Sequence, residues 1–294
     1  GLQGTGACGA LHLPATVSAH IMKTTTIIIL FFILSFRAFS TGQAGDILVY
    51  KGDTVTIFST PLEFRENIDS IRYKLFDYEE NSYSTACWRG YIATWNLIND
   101  SLFLTSIVSC ADSKLNADLN KLFPNEISEN GIFAKWFKGS IDIPSGKLLE
   151  YVHMGFESIY ENEVVLEIDE GIIINSKTYK NSVRKSDFWN MNPDKLLQNI
   201  YKRVNWTNIP IDKQKNVQTF LTFITEPVFV IDTSYSYTMI NGQIDSSLNN
   251  PYMIETIRVA KEIPSWDYYE RKGVVLKNNF SLLFTHKNRK KYVR

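Results

Sequence analysis

The chain has 294 residues with 31 basic and 31 acidic side chains, 44% hydrophobic and 13% aromatic content. That apolar share supports a packed core and excludes a disordered chain. The balanced charge excludes a strong field for nucleic acid or an anionic membrane. No phosphate loop, nucleophile elbow or metal-ligand pair occurs, so no cofactor and no metal is expected.

Gly1–Ile21 is rich in Gly and Ala, lacks acids, and precedes a better start at Met22. It is set aside as an upstream segment. Residues 22–44 read as a secretory signal peptide. Lys23 supplies the positive charge, Ile27–Phe36 the apolar run, and Ala38–Ala44 the small-residue cleavage region. The run is about half of the roughly 20 residues that a membrane span needs, so no stable insertion after cleavage is expected. Cleavage fits after Ser40 or after Ala44. Ala44 is preferred, because the strand entry Gly45-Asp46-Ile47 follows it. The expected product is a soluble periplasmic or secreted protein. Loss of Lys23 and Arg37 leaves 29 of the 31 basic residues against 31 acids.

From 45 to 188 the pattern is mostly strand. Ile47–Tyr50 and Thr54–Phe58 flank the hairpin signal Lys51-Gly52-Asp53. Ser70–Phe76 alternates and reads as a strand. Cys87–Leu97 and Leu102–Cys110 form a hairpin around Ile98–Ser101, with the cysteines near opposite ends, offset by about two residues. A bulge or shifted loop would let Cys87 and Cys110 pair, as two cysteines of an exported chain can. Leu115, Leu119 and Leu122 predict a helix over Asp112–Phe123. Ile132–Phe137, Gly139–Ile143, Leu148–Met154, Glu163–Ile168 and Gly171–Asn175 follow as short strands. They suggest a rolled or sandwiched antiparallel sheet.

From 189 to 294 the order is helix, strand, strand, helix, strand. Asn192-Pro193 and Asn250-Pro251 are cap-then-proline helix starts. Leu196, Leu197, Ile200, Tyr201 and Val204 line the first helix; Met253, Ile254, Ile257 and Ala260 line the second. Val217–Thr225, Val228–Met239 and Gly273–Phe284 are the strands. The basic tail Lys287–Arg294 reads as a frayed terminus. The whole is α+β: a mainly antiparallel β domain (45–188) followed by a small α+β domain (189–294).

Leu197, Ile200, Tyr201, Lys202, Val204, Trp206 and Pro210 resemble the first helix of the TonB C-terminal domain. Glu255-Thr256-Ile257-Arg258-Val259-Ala260-Lys261, Pro264-Ser265-Trp266, Gly273 and Phe284 are similar to its second helix and last strand. The match runs over about 95 residues, Pro193–His286. It departs where Tyr235-Ser236-Tyr237 replaces a glycine turn and Asp267 replaces a proline, and it lacks that family's anchor and proline-rich spacer. The resemblance implies the TonB-like fold and binding of a cell-envelope peptide or protein along the last strand, through Gly273, Val275, Lys277, Phe280 and Leu282. Glu255, Arg258 and Trp266 would be structural. Cys87–Tyr91 and Tyr151–Gly155 are similar to exported Gram-negative proteins of unknown function, which brings no activity.

Other candidates carry less. His153 with Glu157 could act as a general base in an exported hydrolase, the alternative to a non-enzymatic binder. Asp142, Glu157, Glu161, Glu163 and Glu167 read as a solvated face. Trp88, Tyr91, Trp95, Trp136 and Phe137 line either a ligand groove or the core.

Overall fold

The computed structural model describes residues 42–76, 85–210 and 216–292. The expected upstream segment, and the expected signal peptide as far as Thr41, lie outside the described residues. The first hairpin is β1 (Asp46–Tyr50) and β2 (Asp53–Ile57), as the Lys51-Gly52-Asp53 signal predicts. Ser70–Phe76 is not a strand: α1 spans Ile68–Leu75. Ile68, Ile71 and Leu75 lie at helical spacing against the first core, and Asp69 pairs with Arg72 one turn on at 2.7 Å. The central hairpin is β3 (Tyr91–Ile98) and β4 (Ser101–Ser109), turned at Asn99-Asp100. Both turn residues have positive φ, the backbone of a two-residue type I′ loop.

The predicted helix over Asp112–Phe123 shrinks to α2 (Leu119–Leu122), capped by the Asp118 carboxylate. Asn116 instead bridges to Val108 of β4. Next come β5 (Ile127–Ser128), β6 (Gly131–Phe133), β7 (Gly139–Glu150), β8 (Ile159–Asp169) and β9 (Ile172–Lys180). The two short strands expected over Gly139–Met154 are one strand as far as Glu150, with its register shifting after Ser145.

These strands form one nine-stranded sheet in the order β2-β1-β3-β4-β9-β8-β7, with β5 and β6 attached at β4. Among the described residues of this sheet only β1 and β3 run parallel. The sheet rolls up: β4 meets β9 at Ser101 and Ile172, and the Phe58 N–H just beyond β2 donates to the Asp142 carbonyl of β7 at 2.7 Å. Inside the roll lie Leu48, Trp95, Leu104, Phe137, Ile141 and Leu166, all buried. Trp95, Phe137 and Tyr91 are therefore core, while Trp88 stays half exposed.

Cys87 and Cys110 are joined by a disulfide, with Cα atoms 6.5 Å apart. A tight turn does this: the Gly90 N–H donates to the Cys87 carbonyl, and the Cys110 N–H to the Gly90 carbonyl. Cys87 thus folds back over the hairpin end, and farther along the hairpin the register shifts between Thr94 and Trp95, where Thr105 of β4 is the extra, bulged residue.

The second core is centred on Tyr201, Trp206, Leu221, Phe223, Met253, Val259, Phe280 and Leu282. Its helices are α3 (Pro193–Tyr201) and α4 (Pro251–Glu262), capped by the Asn192 and Asn250 side chains as predicted. Its sheet holds β11 (Val217–Ile224), β12 (Val230–Ile231), β13 (Tyr237–Ile240), β14 (Gln243–Asp245) and β17 (Asn278–Phe284). The expected strand Val228–Met239 is thus two short pieces. The tail is not frayed as far as 292: α5 spans His286–Tyr292, and Tyr292 stacks on Tyr201 at 4.8 Å.

A third, small sheet joins the two cores: β10 (Ser182–Arg184), β15 (Tyr268–Arg271) and β16 (Val274–Val275). The Lys272-Gly273 turn at its tip has positive φ at both residues and rests on the β7–β8 ribbon. Arg271 grips Glu163 through Nε at 3.0 and 3.2 Å and Nη2 at 2.7 Å. Lys272 pairs with Asp142, and its N–H donates to Asn181 Oδ1 at 2.8 Å. Glu163 and Asp142 are therefore not on a solvated face. Glu163 is wholly buried, which is possible because a guanidinium from the other core neutralises it.

Candidate functional site

The expected binding strand Gly273–Phe284 is two elements in two sheets. Gly273 and Val275 belong to the hairpin docked on the β7–β8 ribbon. The chain then crosses over: the Leu276 N–H donates to the Tyr269 carbonyl, and Lys277 pairs with Asp232. That bond raises the Lys277 pKa and lowers that of Asp232. Only from Asn278 does the chain join β11.

On β17, Phe280 and Leu282 point into the second core, with Phe284 beside them. Alternation then places Asn279, Ser281 and Leu283 on the outer face. On β11, Gln218, Phe220, Thr222 and Ile224 share that outer face. Register sets the rows. Ser281, Phe220 and Tyr237 lie abreast, and so do Asn279 and Thr222. Phe220 stacks on Tyr237 at 4.8 Å, Thr222 Oγ1 donates to Asn279 Oδ1 at 2.9 Å, and Gln218 Nε2 to Ser281 Oγ at 3.0 Å. Phe220, Thr222, Tyr235, Tyr237, Asn279 and Ser281 line a shallow groove of about 290 Å³. Its lining is aromatic and neutral, suited to apolar or uncharged polar groups.

The backbone of β17 is laddered to β11 along Asn278–Phe284. Its other edge is partly capped. The Leu283 N–H donates to the Tyr201 hydroxyl at 3.0 Å, and the Leu283 carbonyl accepts from that hydroxyl at 3.2 Å and from Asn288 at 2.9 Å. Leu283 therefore faces its main-chain groups away from β11, and by alternation so do Ser281 and Asn279. Among the described residues β17 pairs with no other strand.

Glu255, Arg258 and Trp266 act within the second core. The Glu255 carboxylate accepts the Asn205 N–H at 2.6 Å and an Arg258 N–H at 2.9 Å, and Arg258 also donates to the Arg203 carbonyl. Both thus close the end of α3. Trp266 donates to the Ala260 carbonyl at 3.1 Å and packs on Trp189 and Phe223.

His153 and Glu157 sit in the loop between β7 and β8. The His153 ring meets Tyr151 edge-on at 4.6 Å, while the Glu157 carboxylate turns to Arg271 at 3.5 Å. Among the described residues no group of three or more His, Cys, Asp or Glu is placed to hold a metal ion, and no helix is long and apolar enough to cross a membrane.

A buried polar network at the start of β1 carried no sequence signal. Asp46 accepts from Arg89 at 2.9 Å, Trp95 Nε1 at 2.9 Å and the Ala93 N–H at 3.2 Å. Burial raises its pKa to about 6, against the lowering pull of Arg89 and these hydrogen bonds. Beside it Tyr91 donates to Glu63, which also binds Arg72. Burial, followed by Glu63, pushes the Tyr91 phenol far up. The outer-face residues Phe220, Tyr237, Asn279 and Ser281 were missed as a site, although the period-two pattern of Val217–Ile224 puts every second residue on one face. No protein-family model, curated protein or solved structure matches this chain.

Proposed function

We propose that this is an exported, non-enzymatic adaptor that captures an extended peptide or protein segment of the cell envelope by adding it as a strand to β17. The observation that carries the reading is the one-sided ladder of β17. The outward main-chain groups of Asn279 and Ser281 lie beside a groove with aromatic walls. A guest strand would take its affinity from those main-chain groups and its specificity from alternate side chains. Ser281 is small, so a large guest side chain next to it can lean over to the Phe220 ring. The disulfide and the leader pattern support an oxidising, non-cytoplasmic setting.

The discriminating variant is Ser281→Pro. Leu282 faces β11 and is buried, so proline there would break the fold's own ladder. Proline at Ser281 removes an outward donor, a position that edge strands tolerate. Peptides selected by the wild-type protein from a displayed random library serve as ligands. Ser281→Pro should weaken them about tenfold or more, the worth of roughly 1.4 kcal/mol. Ser281→Ala should bind normally. A Ser281→Pro protein with native circular dichroism and undiminished affinity rejects strand addition.

A further inference from the structure

The basic tail is a helix folded against the open edge of β17. The Thr285 hydroxyl accepts the Asn288 N–H at 3.1 Å, which starts α5 directly after the strand. Asn288 Nδ2 then donates back to the Leu283 carbonyl at 2.9 Å and to the Tyr201 hydroxyl at 3.3 Å. Tyr201 and Asn288 thus occupy the outward main-chain groups of Leu283, which leaves those of Ser281 and Asn279 for a guest. At the opposite end the chain crosses to the small sheet, where Lys277 is already paired with Asp232. A guest strand on this edge is therefore short, and its flank at the Leu283 end leaves beside α5.

The exposed side of α5 is of one sign. It carries His286, Lys287, Arg289, Lys290 and Lys291, with no acid among them. Lys291 lines a cavity with Asp194, whose charge acts on it. Among the described residues Lys287, Arg289 and Lys290 enter no ion pair. Three cations within four residues add their fields at any carboxylate inside the screening length, about 10 Å at 0.1 M salt. We propose that α5 selects guests whose flank at the Leu283 end is acidic, so that the partner is a protein segment with Asp or Glu next to its extended stretch. This rests on the strand-addition reading above and names the chemistry of its partner. A guest antiparallel to β17 presents to α5 the residues before its paired stretch; a parallel guest presents those after it. An anionic lipid surface would meet the charges but offers nothing to the main-chain groups beside them.

The test uses peptides selected by the wild-type protein from a displayed random library. Each should carry Asp or Glu on one side of its paired stretch only, because α5 stands at one end of the edge. One such peptide is then synthesised with a run of Glu or a run of Gln on that flank. At about 0.05 M salt the Glu form should bind about tenfold tighter, and the gap should close at about 1 M. Lys287→Gln/Arg289→Gln/Lys290→Gln should lose the gap and bind the Gln form as wild type does. Lys287→Glu/Arg289→Glu/Lys290→Glu should prefer a Lys-flanked peptide. All three side chains are exposed, so both variants should keep native circular dichroism. No gap in the wild type, or an equal gap in the Gln variant, overturns the inference; if Ser281→Pro still weakens both peptides, strand addition stands. A Glu-flanked peptide that needs the three cations but ignores Ser281→Pro overturns strand addition and this inference with it. Wild-type binding to pure phosphatidylglycerol vesicles, with no gap between the peptides, reassigns α5 to a lipid surface and overturns the inference.

Discussion

Arg271→Met should destabilise the protein more than the loss of any exposed ion pair. Arg271 belongs to β15, and its partner Glu163 belongs to β8 of the nine-stranded sheet. The Glu163 side chain has no solvent exposure and that of Arg271 only 11%. Removing the guanidinium leaves a carboxylate buried without its counter-charge, a defect that costs about 3–5 kcal/mol. The third participant, Glu157, is 63% exposed and 3.5 Å away, so its pairing is worth about 0–1 kcal/mol. Glu163→Met/Arg271→Met removes both charges and fills the space with apolar atoms. It should recover most of the loss, with a coupling energy of about 2–3 kcal/mol across the cycle. Urea unfolding followed by tryptophan fluorescence reads this directly. With a slope of about 3 kcal/mol per molar, Arg271→Met lowers the midpoint by about 1 M or more, and Glu157→Gln barely moves it. If Arg271→Met and Glu157→Gln shift the midpoint equally, the buried pair is not what fastens the hairpin to the ribbon.

The Asp46 network predicts a pH dependence of unusual sign. Its folded pKa is raised to about 6 from 3.8, so between about pH 4 and pH 6 the folded chain holds a proton that the unfolded chain has released. Stability from this group is highest at the acid end and falls by about 3 kcal/mol as pH rises through that window. Asp46→Asn should flatten that part of the midpoint-versus-pH curve, whatever its overall cost, and parallel curves for the two proteins would refute the assignment. Cys87→Ser/Cys110→Ser opens a loop with a sequence separation of 23 and should cost about 3 kcal/mol. Thiol titration of the unreduced, denatured wild type should find Cys87 and Cys110 unreactive.

Much of the local structure was legible in the residues. Alternation gave the β1–β2 and β3–β4 hairpins, because a strand half buried in a roll must repeat every two residues. Asn192-Pro193 and Asn250-Pro251 gave both large helices, because capping is decided within one turn of the chain. Ser70–Phe76 misled, since a short apolar alternation fits either period. Its identity as α1 rests on burying Ile68, Ile71 and Leu75 together against the first core.

The candidate site was only half legible. Phe280 and Leu282 are apolar because they fill the core, so their chemistry marked the strand but pointed to its wrong face. The outer face is polar Asn279 and Ser281, whose meaning depends on Phe220 and Tyr237 from strands far away in sequence. The break between Val275 and Asn278 has the same origin. Gly273 and Val275 were read with β17 because sequence proximity is all that a sequence offers. Tertiary structure gave them to a hairpin that meets Glu163 and Asp142 of the other core. The sequence determined what local physics can encode: period, caps, turns and the cysteine pair. Which acid is buried, which edge stays open and how Gly42 and Gln43 join the fold depend on partners more than 40 residues apart, and only their packing together decided those.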